Sequence, residues 1–130
     1  MAEAAVVKNT LSDEMIKSGA DVIRRLDEVR FIVDAALWFY YTESNQWHLV
    51  LASPEVRLSG PKRAYRQVQS ALKKLPSVPL QDIVILDSND PLIALLKIAI
   101  QTGPGIAGIR FSRNTINGIF VEDAYIYRIQ

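Results

Sequence analysis

At 130 residues the chain has the length of one domain, enough to bury roughly two-thirds of the surface that the unfolded chain exposes. Hydrophobic residues make up 49% and charged residues 22%, which is typical of a globular protein and excludes a disordered one. The formal net charge is +1 and there is no cysteine. These values exclude a global field that attracts nucleic acid or anionic lipid, as well as disulfides, thiolate nucleophiles and cysteine-based metal sites.

Two apolar stretches bear on location. The longest, residues 92–100, is broken by Lys97 and is about half the length needed to span a bilayer. Residues 1–8 are too short and weakly apolar for the core of a signal peptide. We therefore expect a cytoplasmic protein that has no membrane partner.

The first half of the chain predicts a helix and a hairpin. We expect residues 1–10 to be a flexible N-terminal tail and residues 11–130 to be a single α+β domain. From Ser12 to about Arg30, apolar residues at helical spacing indicate a surface helix that covers a core. Residues 32–41 and 47–52 have strand patterns and are separated by a polar turn, which indicates an antiparallel hairpin.

The second half predicts two helices and three strands. They are Pro61–Leu75 (helix), Ile83–Leu86 (strand), Pro91–Thr102 (helix), Gly108–Ile116 (strand) and Ile119–Ile129 (strand). The last two form a hairpin around Asn117-Gly118, a dipeptide favoured in two-residue turns, with Arg113-Asn114 as the alternative turn. The order α-β-β-α-β-α-β-β predicts an α+β fold, a mixed five-stranded sheet with three helices packed on it.

The helix predicted at 61–75 is strongly basic. No acidic residue lies between Glu55 and Asp82. Five cations fall within one third of the helix circumference, opposite its apolar residues: Lys62, Arg63, Arg66, Lys73 and Lys74. Like charges at spacing four and cations in the first helical turn both cost stability. Two interpretations follow: a surface that contacts phosphates or an acidic partner, or a solvated face whose cations pair with carboxylates brought near by the fold.

A possible ligand site lies at one end of the predicted sheet. Asp87 and Asp90 stand between a buried strand and a helix start, where anions or a hydrated divalent cation bind in many proteins. The same residues also suit a helix cap and a turn. Arg110 and Arg113 follow the segment 103–108 and would allow a small anion-binding loop. That segment matches G-x-G-x-x-G by letter only, because a helix precedes it and a strand follows it.

Catalytic patterns are weak. His48, the only histidine, lies within a predicted strand, and no G-x-S-x-G sequence is present. Asp34, Glu122 and Asp123 could assemble a magnesium site if the strand order allowed it, but the lysine of a D/E-x-K nuclease motif is missing. We predict no catalytic residue, no metal and no cofactor.

Aromatic residues concentrate on two strands. Trp38 and Tyr40 share one face of the first strand, and Tyr125 and Tyr127 share one face of the last. If helices cover that face, these residues are core. If helices leave it open, it is a base-stacking platform or a self-association surface.

Three functions stay open, ranked in this order. The first is a non-catalytic interaction module that could also associate with itself as a homo-oligomer. The second is a nucleic-acid-binding protein that uses the basic helix 62–74. An acidic protein is the alternative partner for that helix. The third is a small magnesium-dependent hydrolase or nuclease. The sequence favours a protein without catalytic activity.

Overall fold

The computed structural model describes residues 7–73, 75 and 78–130. Their α-helices are α1 (Asp13–Glu28), α2 (Glu55–Ser59), α3 (Pro61–Leu72) and α4 (Pro91–Ala99). Their strands are β1 (Ala35–Tyr41), β2 (Gln46–Ser53), β3 (Ile83–Asp87), β4 (Ile109–Ile116) and β5 (Ile119–Ile129). The α+β class and the element order predicted from the sequence are confirmed, with the short α2 as an addition.

The five strands form one mixed sheet in the order β3-β2-β1-β5-β4. Strands β2 and β3 are parallel, whereas the other three pairs are antiparallel. Strand β1 therefore lies at the centre, and β3 and β4 lie at opposite edges. The register between β1 and β5 shifts by one residue after Ala36, so that Tyr127 is an extra residue on β5.

Helices cover both faces of the sheet. The face under α1 and α3 is filled by buried side chains of both layers: Val22, Ile23, Leu26, Ala64 and Val68 from the helices, and Trp38, Leu49, Leu51 and Tyr127 from the strands. On the opposite face, Ile93 and Leu96 of α4 pack on Leu37, Val50 and Ile126. Among the described residues, no helix is both long and apolar enough to cross a membrane.

Helices α1 and α4 each begin after a residue whose side chain caps the helix. The Ser12 side chain accepts a hydrogen bond from the Met15 amide at 3.1 Å and caps α1. Asp90 caps α4 in the same way, accepting from the Leu92 amide at 2.9 Å, and Pro91 follows as the first helical residue. The unpredicted α2 begins after Pro54, whose carbonyl accepts hydrogen bonds from the next turn.

Three elements are three residues shorter than predicted. Strand β1 begins at Ala35 instead of residue 32; residues 29–31 complete the end of α1, and the Asp34 amide donates to the Ala52 carbonyl of β2 at 2.8 Å. Helix α4 ends at Ala99 instead of Thr102, because the Thr102 amide donates to the Ile129 carbonyl at 2.7 Å. Thr102 thus extends alongside β5. Helix α3 ends at Leu72, three residues before the predicted end.

The last hairpin turns at Asn117-Gly118. Both residues have positive φ, 49° and 78°, as a two-residue hairpin turn of the primed type requires. The preferred turn is confirmed and the alternative at Arg113-Asn114 is wrong, because both of those residues lie within β4.

The described part of the segment expected to be a tail is held by side-chain contacts. The Asn9 amide donates to Asn45 Oδ1 at 2.9 Å, and Trp47 Nε1 donates to the Asn9 carbonyl at 2.8 Å. Lys8 Nζ donates to Asp123 Oδ2 at 2.7 Å. Residues 7–9 are therefore fixed to the turn between β1 and β2 and to β5.

Candidate nucleic-acid interface

Helix α3 is anchored by one apolar stripe. Ala64, Val68 and Ala71 are buried against the sheet. Gly60, with φ of 87°, separates α2 from α3, and Pro61 is the first residue of α3. Glycine suits this backbone conformation, which side-chain-bearing residues rarely adopt. The chain can therefore change direction here and point the opposite side of α3 to solvent.

That opposite side carries the cations predicted from the sequence. Lys62, Arg63, Arg66 and Lys73 are all exposed and form the surface that we call the basic face of α3. Within residues 7–73, 75 and 78–130, no carboxylate forms an ion pair with any of the four. Lys74, the fifth predicted member, lies outside the described residues. Among the described residues, folding therefore does not bring carboxylate partners to these four cations, as the second interpretation required.

Several other surface cations do have carboxylate partners among the described residues. Arg24 pairs with Asp21 at 3.1 Å, and Arg113 pairs with Glu122 at 3.5 Å. On α3 the first turn carries no acidic residue, and Lys62 and Arg63 there oppose the helix dipole at a cost of roughly 0.3–1 kcal/mol each. Lys62 and Arg66 add repulsion at spacing four. This arrangement is not what stability alone would favour.

An open cleft of about 380 Å³ lies beside the basic face, between the C-terminal end of α1 and α3. We call it the α1–α3 cleft. Its polar side chains come from three helices and the residues that follow α1: Arg25, Arg30, Glu55, Gln67 and Ser70. On the helical wheel of α3, Ser70 and Gln67 flank Arg63, so that the cleft and the basic face are adjacent. No sequence pattern predicted this cleft, because it depends on how two helices pack.

Arg30 is the most unusual residue of the cleft. It has φ of 62°, and the Phe31 amide donates to the Leu26 carbonyl at 2.9 Å, which is the pattern of a helix that ends in a left-handed residue. Glycine is the usual residue at this position, because side chains make the left-handed conformation costly. Arg30 is exposed and has no carboxylate partner among the described residues.

The four residues predicted to surround a ligand at the end of the sheet lie apart. Asp87 ends β3 at one edge of the sheet and Arg110 lies in β4 at the other, which is about 19 Å across four strand spacings. Asp90 caps α4, and Asp87 lies 3.7 Å from Arg57. The structure therefore does not bring Asp87 and Asp90 together with Arg110 and Arg113.

Arg110 instead holds a buried carboxylate. It donates to both oxygens of Asp123, at 2.7 Å and 2.6 Å, while Ser112 Oγ and Lys8 Nζ donate to the same carboxylate at 2.7 Å each. Burial raises the pKa of Asp123, but the hydrogen bonds from Arg110, Lys8 and Ser112 outweigh it and hold that pKa far below its usual range. The carboxylate is thus already bound to three side chains of its own chain.

Three of the four aromatic residues proposed as an interface are buried. Trp38, Tyr40 and Tyr127 are 2%, 7% and 1% exposed, and Tyr125 is half-buried. Trp38 Nε1 donates to the Met15 carbonyl of α1 at 3.1 Å and to the Tyr127 hydroxyl at 3.0 Å, while that hydroxyl donates to the Ile16 carbonyl of α1. The Tyr40 ring packs against the Trp47 ring, with their centroids 5.3 Å apart. The three buried residues therefore belong to the core of the chain.

The candidate catalytic groups are dispersed. Asp34 accepts a hydrogen bond from Ser88 Oγ at 2.6 Å, on a different part of the sheet from Asp123. His48 is half-buried, with its ring 5.2 Å from that of Tyr41 in an edge arrangement. In the part of the chain that the structure describes, no group of three histidine, aspartate or glutamate side chains is placed to hold a metal ion.

The fold and the site together define a class: an α+β domain with helices on both faces of a mixed sheet and, on its surface, a helix whose exposed cations have no carboxylate partner among the described residues. Comparison with protein-family models, with curated proteins and with solved structures gave no match.

Proposed function

We propose that this protein is a non-catalytic, cytoplasmic module that binds the phosphate backbone of nucleic acid on the basic face of α3. The observation that carries the proposal is the exposure of four cations on one helix face without a carboxylate partner among the described residues. Cations that fold stability does not require are available to an external anion.

The dimensions of the basic face favour a polyanion. Lys62 and Lys73 are eleven residues apart, which corresponds to about 16 Å along an α-helix. Several phosphates of one strand fit along that length, and each neutralised phosphate releases counterions, which strengthens binding. The positive end of the α3 dipole lies at the same end as Lys62 and Arg63 and adds to the local potential. A formal net charge of only +1 makes this local patch the source of attraction.

The test is binding of a fluorescein-labelled oligonucleotide, measured by anisotropy over a series of salt concentrations. If all four cations contact phosphates, log K falls with log salt with a slope of about −3. The variant R63E/R66E/K73E should lose this binding. The matched control is K17E/R24E/R113E, which reverses three exposed cations elsewhere and therefore has the same net charge.

Equal losses in the two triple variants would show that net charge, and not the basic face, drives association. An affinity that does not change with salt would contradict phosphate contacts. Binding of an acidic protein without binding of either single-stranded or duplex nucleic acid would assign the basic face to the other class of partner.

A further inference from the structure

We infer that the α1–α3 cleft receives one unstacked base of a single-stranded nucleic acid whose phosphates lie along the basic face of α3; this rests on the proposed function. At about 380 Å³ the cleft is near the lower end of the range for small-molecule sites. It is adjacent to the basic face, so a strand bound there can turn one base inward without leaving its phosphate contacts.

The lining of the cleft suits a base better than a phosphate. Arg30 supplies donors, and Arg25 keeps one amino group beyond the Nε and Nη1 that already donate to Ala71 and Glu28. Glu55 and Gln67 supply acceptors, although Glu55 Oε2 already accepts from Ser59 Oγ at 2.8 Å. Gln67 Oε1 is buried, and no donor among the described residues reaches it. A phosphate offers only acceptors and would meet the Glu55 carboxylate with repulsion. A base edge carries both donors and acceptors and can satisfy both kinds of group.

The walls provide the apolar contact that a base needs. Phe31 and Val29 line the cleft, with Phe31 only 6% exposed and Val29 43% exposed. Arg30 also lines the cleft, and its guanidinium has no carboxylate partner among the described residues. An arginine plane stacks on bases in many single-strand complexes. Arg30 lines the cleft at a helix-end position that usually carries glycine, and we assign its guanidinium to stacking on the bound base.

The experiment compares two probes with the same number of phosphates. One is a labelled oligodeoxycytidylate of about eight nucleotides, and the other is an oligonucleotide of equal length made of abasic sites. The full chain should bind the first about tenfold more tightly, which is what one stacked base contributes. The abasic probe should keep the salt dependence of binding, since its phosphates still contact the basic face.

Two variants report on the cleft itself. S70F fills it from an exposed position of α3, and R30G removes the guanidinium at a backbone conformation that glycine favours. Both should lower the affinity for the cytidine probe to that for the abasic probe. S70F should leave the abasic affinity unchanged, whereas R30G removes one positive charge and should weaken the binding of both probes. N114F, an exposed substitution in the edge strand β4, is the matched control for S70F and should keep the tenfold preference.

The outcomes separate the two proposals. Equal binding of both probes by the unaltered protein, with salt dependence intact, would overturn the base-binding inference and leave the basic face as a phosphate surface. A preference for the cytidine probe that survives in S70F and R30G would place the base elsewhere and also overturn the inference. No binding of either probe would remove the proposed function and the inference together.

Discussion

Arg128 Nη2 donates to Asp27 Oδ2 at 2.8 Å, and a second bond, from Nη1 to Oδ1 at 3.1 Å, makes the pair bidentate. Arg128 is 3% exposed and also donates to the carbonyls of Val33 and Gly105. This pair ties the end of β5 to the last turn of α1. It therefore holds in place the C-terminal end of α1, which lies next to Arg30 and lines the α1–α3 cleft.

We expect D27A to lower the free energy of unfolding by about 1–3 kcal/mol, because it leaves the buried Arg128 guanidinium with only the Val33 and Gly105 carbonyls as acceptors. The matched control is D21A. The Asp21 and Asp27 side chains are equally exposed at 43%, but Asp21 pairs with Arg24, whose side chain is 59% exposed. D21A should cost no more than about 0.5 kcal/mol. Urea denaturation of the two variants measures their free energies of unfolding. Equal losses in D27A and D21A would mean that the buried Arg128 guanidinium does not need the Asp27 carboxylate as its partner.

The basic face predicts opposite effects on stability and on binding. Replacing Lys62 and Arg63 with glutamate puts carboxylates in the first turn of α3, where the helix dipole favours them by roughly 0.3–1 kcal/mol each. K62E/R63E should therefore unfold at the same or a higher urea concentration than the unaltered protein while its oligonucleotide affinity falls. A loss of stability that parallels the loss of affinity would indicate that these cations have a structural role.

The Asp123 cluster predicts acid sensitivity. Because the pKa of Asp123 is held below its unfolded value, its contribution to stability is complete above that value, about 3.9, and declines as pH falls toward the folded pKa. Below about pH 4 the unfolding free energy should fall by up to about 1.4 kcal/mol per pH unit from this group. D123N should lack this component and show a shallower decline between about pH 4 and pH 2. Parallel curves for the two proteins would contradict the assignment.

Local signals determined which parts of the fold could be predicted. The caps Ser12 and Asp90 and the turn Asn117-Gly118 use short-range chemistry, so the element order followed from the sequence. The start of β1 and the end of α4 depend on hydrogen bonds to distant residues, so these bounds could not be predicted from the sequence. The sequence left open whether the cations of the basic face pair with carboxylates, because tertiary structure decides which carboxylates lie near them. Among the described residues they have no such pair.

The candidate cleft and the Asp123 cluster could not be predicted from local sequence signals. Arg30 stands at a helix end where sequence patterns favour glycine, so its left-handed conformation had no predictor. Asp123 and Lys8 are 115 residues apart, and only the strand order brings them together. The same strand order places Asp87 and Arg110 at opposite edges of the sheet. The sequence shows that each residue lies near the end of an element, but not how far apart those elements are.

The close approach of α1 to the sheet depends on Gly19. A Cβ at this position would lie 2.4 Å from the Tyr127 hydroxyl and 2.7 Å from Trp38 Nε1. G19A should therefore destabilise the protein by about 1–3 kcal/mol, although alanine is the better helix former, because the overpacked hydroxyl and indole must shift. G103A, at a glycine with no atom within 4 Å of the added Cβ, is the control and should change stability little. Y127F removes the clashing hydroxyl, so G19A should cost less in the Y127F background than in the unaltered protein. Additive effects of the two substitutions, measured by a double-mutant cycle in urea, would show that α1 does not rest on this contact.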